Sequence, residues 1–333
     1  MRHFICRFCV KGAGMSTQVK TKTKKHGEWK HFVARDFRRN KVLYLMVLPV
    51  VLFYILFSYV PMVGIQIAFK DFKPMLGMWA SPLTDNHGFA HFIDFFTNPF
   101  FGRILKNTML ISILSILFSF PMPVILALVL NEIRYKKLKR VVQTVSYMPH
   151  FISLVVVCGM VRQFCLSDGL FNQLMELAGI HCSNSWLQIP EAFRTIYIGS
   201  DIWQSVGWNS IIYLAAIAGV DSQLYEAAEI DGAGRWKKLV HITFPTIRPT
   251  IILLLIMQVG KTMNVGYEKI LLLYNSTVYD TADVISTYVY RKGLLDFDYS
   301  YSTAVNLFNS VINFILVIVA NKISSKLSET SLF

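Results

Sequence analysis

Apolar residues gather in six long runs along the chain, and polar segments separate them. The runs are rich in Leu, Ile, Val, Phe and Met, and each meets or approaches the roughly 20 residues that a helix needs to cross a bilayer. A barrel strand would alternate over about 10 residues, which is not seen. The pattern predicts an all-α polytopic membrane protein with six transmembrane helices, at residues 43–69, 107–131, 141–164, 195–220, 247–273 and 303–321.

Basic residues are distributed unevenly, and this predicts the orientation. Of the 33 Lys and Arg residues in this chain of net charge +13, 23 fall within residues 1–42, 132–140, 221–248 and 322–333. Six spans place all four segments in the cytoplasm if both termini are cytoplasmic, in agreement with the positive-inside bias. A nucleic-acid-binding arm at 1–42 is the alternative. We expect a basic cytoplasmic segment, a six-span domain over 43–321 and a cytoplasmic tail.

The N-terminal segment has its own pattern. Apolar residues recur at helical spacing before the first span and predict a short basic helix on the inner membrane surface; a solvated stretch is the alternative. "MSTQVK" begins at Met15 and reads as an ordinary start, so we expect residues 1–14 to be an extension. The first apolar run begins at Leu43, lacks a clear cleavage site, and is expected to stay in the membrane. The spaced apolar residues are Trp29, Phe32, Val33 and Phe37.

Cysteine and histidine spacings do not predict a metal site. Cys6 and Cys9 form a C-x-x-C pair without the second pair that a zinc site needs. Cys165 and Cys182 flank a predicted outer loop, and a disulfide between them stays open. His87 and His91 lack the glutamate of the zinc-protease motif.

Nucleotide-binding chemistry is also missing from the sequence. Gly260-Lys261-Thr262 looks like the end of a phosphate-binding loop, but that motif needs a glycine where Leu255 stands. We therefore expect no ATP, metal or other cofactor bound by this chain, and no enzyme activity. An intramembrane active site built from scattered polar residues is the alternative.

Polar residues lie inside three of the predicted spans. An ionisable side chain at membrane depth costs about 3 kcal/mol on insertion scales, so such residues face a partner or a wet pathway. Hydrogen bonding between helices is one interpretation. A pathway for a hydrophilic solute is the other. The polar residues are Asp201, Gln204 and Asn209 in the fourth span, Gln258, Lys261, Asn264 and Glu268 in the fifth, and Asn306, Asn309 and Asn313 in the sixth.

The fifth span offers the most specific pathway hypothesis. Its 3–4 residue spacing predicts one shared helical face for Gln258, Lys261, Thr262, Val265 and Glu268. The candidate pathway residues are Gln204, Asn209, Gln258, Lys261 and Asn264.

A charged segment, residues 221–246, joins the fourth and fifth predicted spans. Asp221 is a good helix N-cap, and we expect a helix up to Asp231, a break at 232–234, a second helix over 235–244 and the start of the fifth span at Pro245. Acids in this segment lie on a side rich in bases and suit a positively charged protein partner. An interfacial linker helix is the alternative. The acids are Glu226, Glu229 and Asp231.

The internal spacing of this segment resembles a known motif. Glu226-Ala227-Ala228, Asp231-Gly232-Ala233, Ile242 and Phe244-Pro245 match the EAA loop of binding-protein-dependent ABC importer permeases, with Phe-Pro in place of the usual Leu-Pro. "NTMLISILSILFSFPMPVILALVLNE" and "ADVISTYVYRKGLLDFDYSYSTAV" resemble the carbohydrate, maltose-permease-like branch. In detail the chain is similar to oligosaccharide and polysaccharide permeases, including alginate-type systems.

This resemblance implies a type I importer fold in the bacterial cytoplasmic membrane. It implies a heterodimer with a second homologous permease, two ATP-binding cassette subunits that use ATP, an extracellular solute-binding protein and a carbohydrate substrate. The implied ATPase-coupling residues are Glu226, Ala227, Ala228, Asp231, Gly232 and Ala233; Glu226 would pair with an ATPase base and Gly232 would allow the turn. A self-contained secondary transporter is the alternative function, although its usual inverted repeats are not found.

Overall fold

A computed structural model describes residues 39–177, 179 and 184–328. The predicted surface helix around Trp29, the Cys6–Cys9 pair, the Met15 start and Cys182 lie outside these residues. Cys165 is a buried free thiol. The described residues form helices joined by turns, without a β-strand.

The helices follow the apolar runs. The longer ones are α1 (Lys41–Phe69), α2 (Ala90–Thr97), α3 (Phe101–Glu132), α4 (Lys136–Phe151), α5 (Leu154–Phe164), α6 (Leu170–Leu177), α7 (Pro190–Ala218), α8 (Ser222–Ile230), α9 (Arg235–Val259), α10 (Tyr267–Leu273), α11 (Ile285–Tyr290) and α12 (Tyr299–Ser328). Single turns lie between them, such as Gly77–Ala80 and Tyr279–Ala282.

Four of these helices, α1, α3, α9 and α12, are long and apolar enough to cross a membrane. The α4–α5 pair raises the number to five if it is counted as one bent crossing. Helix α7 has 29 residues, which is sufficient length, but polar side chains interrupt it. The described residues therefore support four to five apolar spans.

The part of α1 up to Val63 belongs to the first of two compact units, and the last residues of α1 belong to the second. Its residues 41–62 are exposed around the whole circumference, and nearly all are apolar. Such a surface suits lipid.

Three long helices share a local deviation that proline explains. Each contains five π-helical residues that end two positions before a proline: residues 55–59 before Pro61, 115–119 before Pro121 and 239–243 before Pro245. Proline has no N–H and its ring clashes with the carbonyl of the preceding turn, so a wider turn relieves the helix there.

The third predicted span, 141–164, is not one straight helix. Helices α4 and α5 meet at an angle of 100°, with the break at Ile152–Ser153. Ser153 starts α5 as its N-cap, and its hydroxyl accepts a hydrogen bond from the Val156 amide. The apolar run predicted the helical content here but not the bend.

The fifth predicted span, 247–273, is also wrong in two respects. Helix α9 begins at Arg235, so Pro245 lies inside a continuous helix and does not start a new one. It ends at Val259, and α10 begins only at Tyr267. The intervening residues, 260–266, are turns and irregular backbone.

Helix α7 is the centre of the second unit, residues 64–333, and packs along α3, α4 and α9. Gly207 makes one of these approaches close, since a Cβ there would overlap the Ser146 carbonyl group of α4. The buried side chains of Tyr213 and Ile217 in α7 pack against the neighbouring helices. Their partners are Val124 and Ala127 of α3 and Ile247 of α9.

The segment between α10 and α12, residues 274–298, folds into this unit. We call it the outer segment, after its predicted position. Asp283 is 1% exposed, and both its oxygens accept hydrogen bonds from the Arg291 guanidinium, at 2.8 and 2.6 Å. Asn107 of α3 donates to the carbonyl groups of Asp280 and Asp283. The Asn107 hydrogen bonds fix the outer segment to α3, and the ion pair holds the outer segment together internally.

Candidate functional site

The charged segment begins with a well-capped helix, as predicted. The Asp221 carboxylate accepts a hydrogen bond from the Gln223 amide at 2.9 Å and starts α8. At the other end Gly232 has φ +74°, the Gly232 amide donates to Glu229 O and the Ala233 amide donates to Ala228 O at 2.8 Å. These bonds form a Schellman cap, which favours glycine in the left-handed position. The break at Gly232 is therefore confirmed.

Most of α8 faces away from the rest of the chain. Glu226, Ala227 and Asp231 are exposed, and Ile230 is 88% exposed. Just past the break, Trp236 is 79% exposed. An acidic and apolar surface of this kind, held on a rigid capped helix, suits a protein partner. We call α8 with residues 231–236 the docking surface.

One of the predicted partner-binding acids is already used within the chain. Glu229 accepts a hydrogen bond from Lys238 at 2.6 Å, so it braces α8 against the start of α9. This hydrogen bond and the positive charge of Lys238 lower the pKa of the Glu229 carboxyl. On the inner side of α8, Tyr225 shares a hydrogen bond with Thr243 of α9 at 2.8 Å.

A polar cavity of about 250 Å³ lies between α3, α7 and α9. Helix α7 contributes Asp201, Ser205 and Asn209, and Gln258 stands near the end of α9. Lys261 lines it from the break that follows. The structure thus brings together three of the five predicted pathway residues, Asn209, Gln258 and Lys261. We call this space the lysine cavity.

The other two predicted pathway residues lie elsewhere. The Gln204 amide points toward α4 and donates to Ile152 O at 3.4 Å. Asn264 lines a different cavity, and its Oδ1 accepts a hydrogen bond from Asn309 at 2.7 Å. The prediction that Gln258, Lys261, Thr262, Val265 and Glu268 share one helical face is wrong, because the helix ends at Val259.

Side chains of two other helices hold the break after α9. The Met263 amide donates to Asn313 Oδ1 of α12 at 2.9 Å. The Ser112 hydroxyl of α3 donates to Thr262 O. Backbone groups that leave a helix inside a membrane need such partners, since water is scarce there. Asn313, predicted as a polar residue of the sixth span, therefore has a structural role at the break.

Sequence reasoning missed a buried cation, Lys269 of α10. Its side chain is 5% exposed, and its Nζ lies 3.7 Å from Asp201 Oδ1 and 5.5 Å from the Tyr197 ring centre. Asp201 was predicted as a costly membrane acid, and the pair explains how its charge is balanced. Lys269 follows Glu268 directly in the sequence, but in α10 Glu268 is exposed whereas Lys269 is buried. Lys261, by contrast, is exposed to the lysine cavity.

Metal binding finds no support in the described residues. Among residues 39–177, 179 and 184–328, no three His, Cys, Asp or Glu side chains are grouped closely enough to hold an ion. His91 instead pairs with the Lys70 carbonyl at 3.2 Å.

The chain resembles characterised membrane transport proteins. Protein LplB of Bacillus subtilis (strain 168) is 46% identical over 298 residues, which cover 89% of this chain and 92% of LplB. The polygalacturonan/rhamnogalacturonan transport system permease protein YteP of the same organism is 45% identical over 296 residues, covering 89% and 91%.

Solved structures agree in fold. A chain of the bacterial alginate ABC transporter, crystallised in complex with an alginate pentasaccharide-bound periplasmic protein, is 43% identical with a TM-score of 0.81. The match covers 90% of this chain and 99% of that one. The family described as the binding-protein-dependent transport system inner membrane component matches residues 119–329. This match and the two relatives show that the chain belongs to that family, with the type I ABC permease fold.

Proposed function

We propose that this chain is the permease subunit of an ATP-driven importer that moves an oligosaccharide or polysaccharide across the cytoplasmic membrane by alternating access. The substrate class follows from two of the relatives, since YteP, a polygalacturonan/rhamnogalacturonan transport system permease protein, and the alginate transporter chain are each over 40% identical. Because the chain belongs to the binding-protein-dependent family, we do not propose the alternative function of a self-contained secondary transporter.

The proposed assembly contains a second homologous permease, two ATPase subunits that bind and hydrolyse ATP, and an extracellular solute-binding protein. In this arrangement α7 and the α4–α5 pair complete six crossings, and both termini are cytoplasmic. The basic segment 1–42, the six-span domain 43–321 and the tail 322–333 then follow the positive-inside bias.

The observation that carries the mechanism is the continuity of α9. This helix has 25 residues, about 37 Å at 1.5 Å per residue, and joins Arg235 of the docking surface to Gln258 in the lysine cavity. Movement of the docking surface on an ATPase would therefore displace the cavity wall. Six residues would form the ATPase contact: Glu226, Ala227, Ala228, Asp231, Gly232 and Ala233.

The lysine cavity suits a hydroxyl-rich and acidic solute. Asn209 and Gln258 can donate and accept hydrogen bonds. Lys261 has no carboxylate partner among the described residues, so its ammonium group can attract a uronic acid. Because Asp201 is paired with Lys269, it does not neutralise the positive charge of Lys261.

Uptake by the assembled importer in membrane vesicles tests the proposal. We expect Lys261→Met and Gln258→Leu to lower uptake of a uronic-acid oligosaccharide while ATPase copurification is unchanged. The matched control is Lys106→Met, because Lys106 is an exposed lysine of α3 outside the cavity. Unchanged uptake in both cavity variants would show that this face only packs helices.

A further inference from the structure

A second, larger cavity lies on the other side of the break after α9. Its volume is about 610 Å³, and α10, α11 and the first third of α12 line it together with the end of the break. This volume falls in the range of small-molecule sites. The fourteen lining residues include no charged side chain, in contrast to the lysine cavity.

Three tyrosines give this space its character, and we call it the tyrosine cavity. Tyr267, Tyr290 and Tyr299 line it from α10, α11 and α12. The rings of Tyr267 and Tyr290 lie 6.3 Å apart at an angle of 32°, and Tyr267 is 40% exposed. Such rings offer flat apolar faces with a hydroxyl at the edge. The C–H face of a sugar ring can lie on the face, and its hydroxyl groups can bond to the edge.

A buried amide in the wall lacks one of its partners. Asn309 is 2% exposed and lines the tyrosine cavity. Its Nδ2 donates to Asn264 Oδ1 at 2.7 Å, but its Oδ1 has no hydrogen-bond partner. A buried acceptor without a donor costs about 1–3 kcal/mol. A hydroxyl group of a bound ligand would supply the donor.

We propose that the tyrosine cavity binds an uncharged, hydroxyl-rich sugar ring of the transported saccharide. The proposal rests on the proposed function and adds a second contact to it. Asn306, whose amide also lines the cavity, provides further donor and acceptor atoms.

The two cavities are close enough to hold one chain. Lys261 lines one and Asn264 the other, so along the backbone they are separated by at most about 11 Å. A saccharide with several rings would contact both cavities across the break. A disaccharide could be held at the lysine cavity alone. The tyrosine cavity therefore favours longer chains.

The test compares saccharide lengths in the complete importer with its binding protein. Probes are a graded series of oligosaccharides in which uronic acids alternate with neutral sugar rings, from the disaccharide upward. We expect Tyr290→Leu to reduce uptake of the longer members by about tenfold, the effect of losing roughly 1.4 kcal/mol of contact, and to change disaccharide uptake little. Tyr290→Phe keeps the ring and should retain most uptake. Phe57→Leu removes an exposed ring from α1 as a matched control.

The outcomes separate this inference from the function beneath it. Equal uptake of long chains by Tyr290→Leu and the unmodified importer overturns the tyrosine cavity as a binding site. An equal loss at every length, with normal ATPase copurification, assigns Tyr290 to packing or to contact with a partner helix and also overturns it. If the unmodified importer takes up no saccharide of any length, the proposed function fails and the inference fails with it.

Discussion

The docking surface and the outer segment each connect two helices and each contain acids and bases, yet these charged residues have opposite roles in the two connections. On the docking surface Glu226 and the Asp231 carboxylate are exposed, and neither has a side-chain partner among the described residues. In the outer segment Asp283 is 1% exposed and Arg291 binds both its oxygens.

The difference shows where a partner protein can act. The residues of a buried ion pair cannot exchange their partner for another protein at low cost, because breaking the pair leaves an uncompensated charge. The burial of Arg291 works to lower its pKa, but the hydrogen bonds and charge of Asp283 outweigh this and raise it. Exposed carboxylates carry no such cost and can bind another protein. The chain has thus fixed one connection and left the other available.

Substitutions on the docking surface should have the largest effect on transport. Gly232→Pro cannot adopt the φ of +74° found at this position, and Glu226→Lys reverses the charge offered to the ATPase. We expect both to abolish uptake while the protein stays in the membrane, as measured by vesicle uptake and ATPase pull-down. Gly232→Asn is the matched control, because asparagine tolerates the left-handed region. Normal uptake in Gly232→Pro and Glu226→Lys would show that the docking surface does not couple transport to the ATPase.

The outer segment should respond through stability instead. Asp283→Ala leaves the Arg291 charge without its partner, and we expect a loss of about 3 kcal/mol in the free energy of unfolding. Thermal unfolding of the purified complex measures it. Asp280→Ala is the control, since the Asp280 side chain is 77% exposed and its bridge to Arg103 should contribute under about 1 kcal/mol. Equal losses in the two variants would show that the buried Asp283 pair contributes no more to stability than the exposed Asp280 pair.

The smallest effect is expected at Glu229. The hydrogen bond from Lys238 lowers the folded-state pKa of the Glu229 carboxyl below the usual glutamate value of about 4.3. The bridge therefore stabilises the loop at pH values above the usual pKa, and this stabilisation is lost as pH falls through the lowered pKa. Hydrogen exchange of residues 225–240 should be slower in the unmodified protein than in Glu229→Gln at pH 7. The difference should vanish in acid. A difference that persists at low pH would exclude the bridge as its cause.

The sequence was sufficient for features that depend on neighbouring residues. Apolar runs located the long helices, and the capping chemistry of Asp221 and Gly232 placed both ends of α8. The break after α9 was missed because its hydrogen bonds come from Ser112 and Asn313, far away in the chain.

The sequence alone also did not predict which charged residues form pairs. Lys261 and Lys269 both follow the long apolar run, and only the fold shows that Asp201 pairs with the second. Periodicity through 258–268 failed because it assumed an unbroken helix. A helical pattern carries no information about whether backbone hydrogen bonds are replaced by side chains.

The π-helical residues ahead of Pro61, Pro121 and Pro245 make these helices tolerant of changes in length. A π turn contains one residue more than the α turn it replaces. Removing a single residue from 239–243 would close the turn to an ordinary α turn and leave the preceding residues at nearly the same azimuth, whereas removing one residue from the α-helical part of α9 would rotate everything before it by about 100°. The five residues 239–243 therefore mark a place where α9 can lose a residue and still present the docking surface to the ATPase in the same direction, whereas a deletion between 246 and 257 would turn that surface away.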